Sequence, residues 1–386
     1  MISTESDKRG FYLVGPNQID VKKWKKIYNK TEALSFASKF NCDVKWMFNH
    51  SVYGNIDWTV PIETPLKELY RMRAQQIRDK YDHIILHYSG GQDSNNMLHS
   101  FIDNNIRLDK IVIQVPEPER RHSNNTDFSS NNYWGEFDYQ TLPYLKKLGN
   151  KLKGIEISIQ DTSKTTLELL SDPYWTEKVL PNASYNLGVI ARAMAQYTSK
   201  NILDIVDQGK TSCQLTGIDK PLVHFDGINY KCFFVDSNAY HTEPIDTTLN
   251  DIFTKTVTEF FYWTPDLPEI VVKQAQEIKR ACEGNAVVKE LFTRTKQEEL
   301  GIFRPVMQNI IYDPLHAPTF QTAKPSIGAE QVYILHKWFY KGENQVIVKN
   351  YNNGLSNLSE KISNKYYIYE DPTLGYKSIQ SPWYKL

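Results

Sequence analysis

The clearest pattern along the chain is a regular alternation of periods that begins near residue 64. Leu66, Leu69, Tyr70, Arg73 and Ile77 recur at helical spacing. Thr64-Pro65 precedes them as a capping hydroxyl followed by a proline whose missing N–H costs nothing in a first turn, so a helix is predicted over 65–80. Residues 84–88 then form a short apolar run of the kind found in buried parallel strands. A glycine turn, Ser89-Gly90-Gly91-Gln92-Asp93-Ser94, follows at once, and Met97, Leu98, Phe101 and Ile102 mark the inner face of the next helix. Strands are expected again over 110–115, 154–159 and 212–216, with helices over 136–148 and 185–197 between them. Repeated β and α units of this kind imply an α/β fold, a doubly wound parallel sheet.

The flanks differ in texture. Residues 1–60 hold an apolar start at 11–14, a helix expected over 31–40 and a loop-like aromatic stretch through Trp46, Phe48, Tyr53 and Trp58, which together suggest a small N-terminal cap. The α/β pattern occupies 61–244, interrupted by a polar insert at 116–133 that exceeds ordinary loop length and is expected to act as a flap. Residues 245–386 form a mainly helical, aromatic-rich C-terminal region, with helices expected over 268–282 and 286–301 and few strands. Its late aromatics, Tyr333, Trp338, Tyr340, Tyr351, Tyr366, Tyr367 and Trp383, suit either core packing or an acceptor pocket.

Composition narrows the function classes. Lys+Arg 45 balance Asp+Glu 45, so bulk charge does not hold a nucleic acid or an anionic membrane here. A nucleic acid or nucleotide remains open as the molecule modified. No apolar run reaches the ~20 residues of a membrane span and the first residues are polar, so the expectation is a cytoplasmic protein with no membrane partner. The four cysteines, Cys42, Cys213, Cys232 and Cys282, include no C-x-x-C pair and read as free thiols, which argues against a structural zinc site. The histidines offer no H-E-x-x-H and no pair on one face of a predicted helix, and His241 with Glu243 reads as surface.

The glycine turn is the strongest chemical signal. Gly90 and Gly91 let the backbone turn tightly and approach a ligand, and the helix that starts there points unpaired N–H groups and a positive dipole end into the turn. Ser89 and Ser94 add hydroxyls, so the site suits phosphate oxygens. Asp93 would repel phosphate unless a cation intervenes, which points to Mg²⁺ bridging or to a carboxylate that holds the loop in shape. Other phosphate loops do not compete. Gly209-Lys210-Thr211 imitates the end of a Walker A motif, but Asp204 occupies the place of its first glycine, and no G-x-G-x-x-G is present.

The hexapeptide 89–94 resembles the S-G-G-x-D-S signature of the PP-loop ATP pyrophosphatase superfamily and agrees at every defined position. The resemblance implies a HUP-like PP-loop domain that cleaves ATP between the α and β phosphates, transfers AMP to a carbonyl or carboxylate oxygen and lets a nucleophile displace it. Within that superfamily the surroundings are similar to the synthetase domain of asparagine synthetases. The shared features are the helix leading into the motif strand, the helix bearing Glu136, and Leu215-Thr216-Gly217-Ile218-Asp219, which resembles a family segment L-S-G-x-G-x-D-E. Lys220-Pro221 replaces the acidic end of that segment and one glycine is lacking.

The resemblance assigns ATP and pyrophosphate binding to Ser89, Gly90, Gly91, Gln92, Asp93, Ser94, Gly217 and Lys220. It assigns Mg²⁺ to Asp93 and Asp219, and catalytic roles to Asp93, Ser89 and Lys220. Asparagine synthetases begin with a glutaminase domain bearing an N-terminal cysteine, whereas Ile2 stands at position 2 here and the first cysteine is Cys42. The resemblance therefore implies an ATP-dependent, AMP-forming ligase or amidotransferase that takes ammonia or an amine from a separate source, acting on a small-molecule or nucleotide acceptor. Two alternatives remain: a non-catalytic nucleotide-binding protein, and a sulfurtransferase or adenylyl-sulfate reductase with Cys213 as thiol relay. Residues 112–114 could flank adenine or be plain strand, and Arg120, Arg121 and His122 could clamp phosphate or be a solvated loop. High Asn, Lys and Tyr usage suggests a viral or mobile-element enzyme working in the host cytoplasm.

Overall fold

The computed structural model describes residues 10–16, 20, 23–120, 136–177, 179–181, 208–217, 220–236, 242–244, 256–293, 300–319, 337–341, 344–360 and 379–386. The helix expected over 185–197, Arg121, His122, most of the polar insert and Asp219 lie outside the described residues.

Strands β1 (Phe11–Gly15), β2 (Lys25–Ile27) and β3 (Asp43–Met47) form an antiparallel sheet in the order β2-β1-β3, with helix α1 (Lys30–Phe40) packed on it. Asn29 caps α1 by accepting a hydrogen bond from the Glu32 N–H, and Asn41 ends it in the left-handed region. The stretch expected as an aromatic loop is thus partly strand β3, followed by one helical turn, α2 (His50–Tyr53). Its aromatics are buried, not displayed. Phe48 packs on Phe234 and Trp263, Tyr53 on Phe234, and Trp58 stacks on Tyr384. Lys30 and Asp236 form a fully buried ion pair at 2.8 Å, and the Tyr12 hydroxyl donates to the same carboxylate at 2.9 Å.

The centre of the molecule is a five-stranded, all-parallel sheet in the order β12-β8-β4-β5-β6, flanked by helices. Its strands are β4 (His83–His87), β5 (Lys110–Val115), β6 (Glu156–Asp161), β8 (Ser212–Thr216) and β12 (Thr256–Phe260). The short strand β7 (Val179–Pro181) pairs elsewhere, with β11 (Thr242–Pro244). The inner strands β4 and β5 are largely apolar and buried, which is why they read as hydrophobic runs; β8 is equally buried but mixes Cys213 and Leu215 with Ser212, Gln214 and Thr216, and edge strand β6 leaves Ile157 and Ile159 half exposed. From β4 the chain moves outward to β5 and β6, then returns across the sheet to β8 and continues to β12. The order therefore reverses between β4 and β8, the place where open α/β sheets bind ligands. Strand β12 lies beyond residue 244, so the parallel sheet extends past the boundary expected from the sequence.

Helix α3 (Leu66–Lys80) leads into β4, and α4 (Gln92–Ile102) leaves it. Pro65, not Thr64, occupies the N-cap of α3, and no side chain caps it. The predicted helix over 136–148 is a π-helical turn (Glu136–Thr141) running into α6 (Leu142–Leu148). Pro143 accounts for the change: it cannot donate back along the helix and its ring crowds the preceding turn, and the wider π turn accommodates both effects. A single turn α5 (Glu117–Arg120) and helix α7 (Ser163–Leu170) complete this half.

After β8 come the antiparallel strands β9 (Leu222–Phe225) and β10 (Tyr230–Phe233), joined by β13 (Tyr384–Lys385). Beyond β12 the chain is mainly helical among the described residues: α8 (Glu269–Gly284), α9 (Ala286–Thr293), α10 (Leu300–Ile311), α11 (Lys337–Lys341) and α12 (Gln345–Glu360). Helix α8 packs on both α3 and α10. A buried ion network ties α3 to the sheet: Arg73 and Lys80 both reach Glu259, at 2.9 and 2.7 Å, and the Tyr81 hydroxyl donates to the same carboxylate.

Candidate functional site

The turn after β4 fits a phosphate by its backbone. Gly90 has φ +82°, a left-handed conformation that side chains rarely adopt, and a Cβ there would lie 2.2 Å from Thr141 Oγ1. Gly91 takes the N-cap of α4, where the first intrahelical bond runs from Asn95 N–H to Gly91 C=O at 2.9 Å. The amides of Gln92, Asp93 and Ser94 precede that bond and so lack acceptors within the helix. The two serines brace the turn. Ser94 Oγ donates to Gly91 C=O at 2.9 Å and lies 3.3 Å from Ser89 Oγ, which accepts from Gly91 N–H at 3.3 Å. The Thr141 hydroxyl, from the π turn, is 2.8 Å from Ser89 C=O and 3.0 Å from Glu136 C=O, clamping the turn from the side.

The second predicted segment arrives beside the first. Lys220 Nζ stands 2.7 Å from Asp93 Oδ2, and the lysine is nearly buried. A Cβ on Gly217 would lie 2.9 Å from Met97 Cε and 3.4 Å from Asp93 Cβ, so its lack of a side chain lets the loop after β8 lie flush on the first turns of α4. Of the two carboxylates expected to hold Mg²⁺, Asp219 lies outside the described residues and Asp93 is engaged by an ammonium group. The described residues thus fit a phosphate group, but they do not form an evident Mg²⁺ ligand set.

Four contributors were not anticipated from sequence. Thr141 is one. Tyr262, just past β12, donates its hydroxyl to the Asp93 C=O at 2.9 Å. From α10, the Gln308 amide donates to Asp93 Oδ1 and the Asn309 Oδ1 accepts from the Gln92 amide, each at 3.4 Å. Burial first, then neighbouring Tyr70 and Asp93, pushes the Tyr262 phenol far above its ordinary range, so it stays a neutral donor. Tyr312, raised by burial and by Asp93, packs against it. Only the glycine turn had a local sequence signal; these four converge from segments 50 to more than 200 residues away.

Other candidates fall elsewhere. Cys213 sits on β8 three positions before Thr216, wholly buried, with its thiol pushed far up chiefly by burial; it lies within the sheet, upstream of the strand end from which Gly217 and Lys220 project. All four cysteines are free and buried, as the spacing suggested. Val112 is buried in β5, and Gln114 donates to Gln160 of β6.

A second polar cluster lies at the far end of α4. His99 Nδ1 is 2.8 Å from Asp103 Oδ2, and His316 Nε2 is 3.5 Å from the same oxygen. The two imidazoles stack at 3.6 Å between centroids, 7° from parallel. No protein-family model matches the chain and the comparison with characterised proteins returns no relative, so the reading of the site rests on its own residues.

Proposed function

We propose that the chain is an ATP-dependent, AMP-forming ligase or amidotransferase of the PP-loop pyrophosphatase type. The observation that carries the reading is the contact of two separated segments at the point where the strand order reverses. The glycine turn after β4 meets the loop after β8 through Asp93 and Lys220, 127 residues apart.

In this reading the amides of α4's first turn and the Ser89 hydroxyl bind the β and γ phosphates of ATP, and Ser94, whose hydroxyl donates to Gly91 C=O, holds the turn in shape and leaves that bond only if it turns to phosphate. An acceptor carbonyl or carboxylate oxygen attacks the α-phosphorus, the bond to the α–β bridging oxygen breaks, and its electron pair leaves with pyrophosphate. Charge thus grows where the donors already point, and each preorganised donor is worth about 3 kcal/mol in a water-poor site. Lys220 turns from Asp93 toward the leaving pyrophosphate, and Asp93 fixes the lysine until ATP enters. Mg²⁺ entering with ATP would neutralise phosphate charge; Asp93 could join it only after leaving Lys220. An amine or ammonia, supplied separately, then displaces AMP from the adenylated acceptor, which is a small molecule, a nucleotide or a nucleic acid.

The thiol-based alternative has little support, since Cys213 is sealed inside the sheet. The non-catalytic alternative is separated by experiment. With ATP, Mg²⁺ and an acceptor panel, the protein should release pyrophosphate, and Asp93→Ala and Ser89→Ala should each lower the rate at least about 100-fold with the fold retained by circular dichroism. ATP binding without pyrophosphate release across the panel would favour a nucleotide-binding protein instead.

A further inference from the structure

We propose a transition-metal site, of the kind that takes Zn²⁺, formed by His99, Asp103 and His316. It is separate from the phosphate turn and independent of the activity proposed above. Two imidazoles and a carboxylate are the donors that borderline metals such as Zn²⁺ prefer, whereas Mg²⁺ prefers oxygen alone. Their ligand atoms lie within 4.8 Å of one another. His99 and Asp103 are four residues apart, so α4 presents them on one face.

The surroundings resemble the outer shell of a metal site. Tyr144 OH lies 2.7 Å from His99 Nε2, which fixes the ring and turns Nδ1 toward Asp103. Lys151 holds the other oxygen of Asp103 at 2.9 Å, leaving Oδ2 to face both histidines. His316 is brought in by its backbone: its C=O accepts from the Asn95 amide at 2.9 Å. Its Nδ1 is buried with no hydrogen-bond partner among the described residues, so no side-chain bond to that nitrogen opposes reorientation of the ring.

The stacked arrangement does not itself place one ion on both rings. A bound ion lies in the plane of each imidazole at about 2.0–2.1 Å, and two parallel rings cannot both meet that condition. Coordination therefore requires the His316 ring to tilt about its side-chain bonds while His99 stays held by Tyr144. Water completes the coordination. The spacing that would have flagged this site is only half local, since His316 lies 217 residues from His99. That is why neither the cysteine count nor the histidine pattern pointed to zinc.

Chelator-stripped full-length protein titrated calorimetrically with Zn²⁺ should bind one ion per chain, and Co²⁺ should give the visible absorption of a low-coordinate nitrogen and oxygen site. His316→Ala, on a partly exposed turn, and Asp103→Asn should each weaken Zn²⁺ binding at least about tenfold with the circular dichroism spectrum unchanged. Wild-type protein that takes up no Zn²⁺, or variants that bind it as tightly as wild type, would overturn the proposal. Because the readout is binding of the metal alone, loss of the ATP reading would leave this result untouched.

Discussion

The chemistry of the turn reduces to a few residues whose replacement has separable consequences. Gly90 combines a left-handed backbone with a Cβ position already filled by the Thr141 hydroxyl, so Gly90→Ala should cost about 1–3 kcal/mol locally and abolish ATP binding. Isothermal titration with ATP checks this, and adding Thr141→Ala, which removes the contact with Thr141 Oγ1 but leaves Thr141 Cβ at 3.0 Å and the backbone strain, should restore binding only in part. Gln308→Ala tests the contribution from α10: it should weaken pyrophosphate release about tenfold, less than Asp93→Ala, because it touches Asp93 and not the phosphate cradle. At this scale the sequence was most informative for the turn itself. Two glycines, two serines and an aspartate in six positions define a backbone shape locally. Lys220 carried a weaker signal, and its partnership with Asp93 was invisible because each had been expected to face ATP or Mg²⁺. Tyr262, Gln308 and Asn309 carried none, since a core tyrosine and two helix amides, one buried and one exposed, acquire meaning only when distant elements meet.

Among the elements, α3 and β12 depend most on electrostatics. Glu259 is almost fully buried between Arg73, Lys80 and Tyr81. Burial alone would raise its carboxyl, but Arg73, then Lys80 and Tyr81, more than reverse that and hold it down to about 2. A depressed acid stabilises the fold above its unfolded value and loses that contribution as pH falls through the folded one. The network should therefore help fully above about pH 5 and lose its contribution, of order 3 kcal/mol, on acidification toward pH 2. Glu259→Gln should flatten that part of the stability profile, measured by urea unfolding, and should lower stability by about 3 kcal/mol at pH 7, because the buried Arg73 is then left, among the described residues, with only the more distant Asp266 carboxylate, 3.9 Å away. The element pattern was legible wherever period and burial agree. The strands at 110–115 and 212–216 match their expected limits; the first is an apolar run, whereas the second carries only Cys213 and Leu215 as apolar residues beside the buried Ser212 and Gln214. Strand β12 was missed because Thr256, Thr258 and Glu259 break the apolar run; Glu259 is tolerated there only through its ion partners. The π turn was missed because its cause, Pro143, acts on the geometry of the helix and not on its hydrophobic period.

Over the whole molecule, tertiary contacts join the N-terminal sheet, the β9-β10-β13 sheet and the last residues. Asp236, following β10, binds the buried Lys30 of α1 and Tyr12 of β1 and accepts from the N–H of the partly buried Ile379. Asp236→Asn should leave the Lys30 ammonium without its counter-charge and cost about 3–5 kcal/mol, seen as a lower urea midpoint. The balance of 45 basic and 45 acidic residues acquires a structural meaning here. Among the described residues, buried charges such as Lys30, Asp236, Arg73 and Glu259 sit in internal pairs, and the phosphate site proposed at the turn would use backbone amides, a helix end and one lysine, with no basic surface required. The activity proposed for this turn is cleavage of ATP between its α and β phosphates. Phosphorus NMR of ATP incubated with the protein, Mg²⁺, ammonia and the acceptor panel tests it most directly. The account predicts AMP and pyrophosphate in equal amounts, lost with Asp93→Ala; ADP and orthophosphate as the products, or unchanged turnover in that variant, would contradict it.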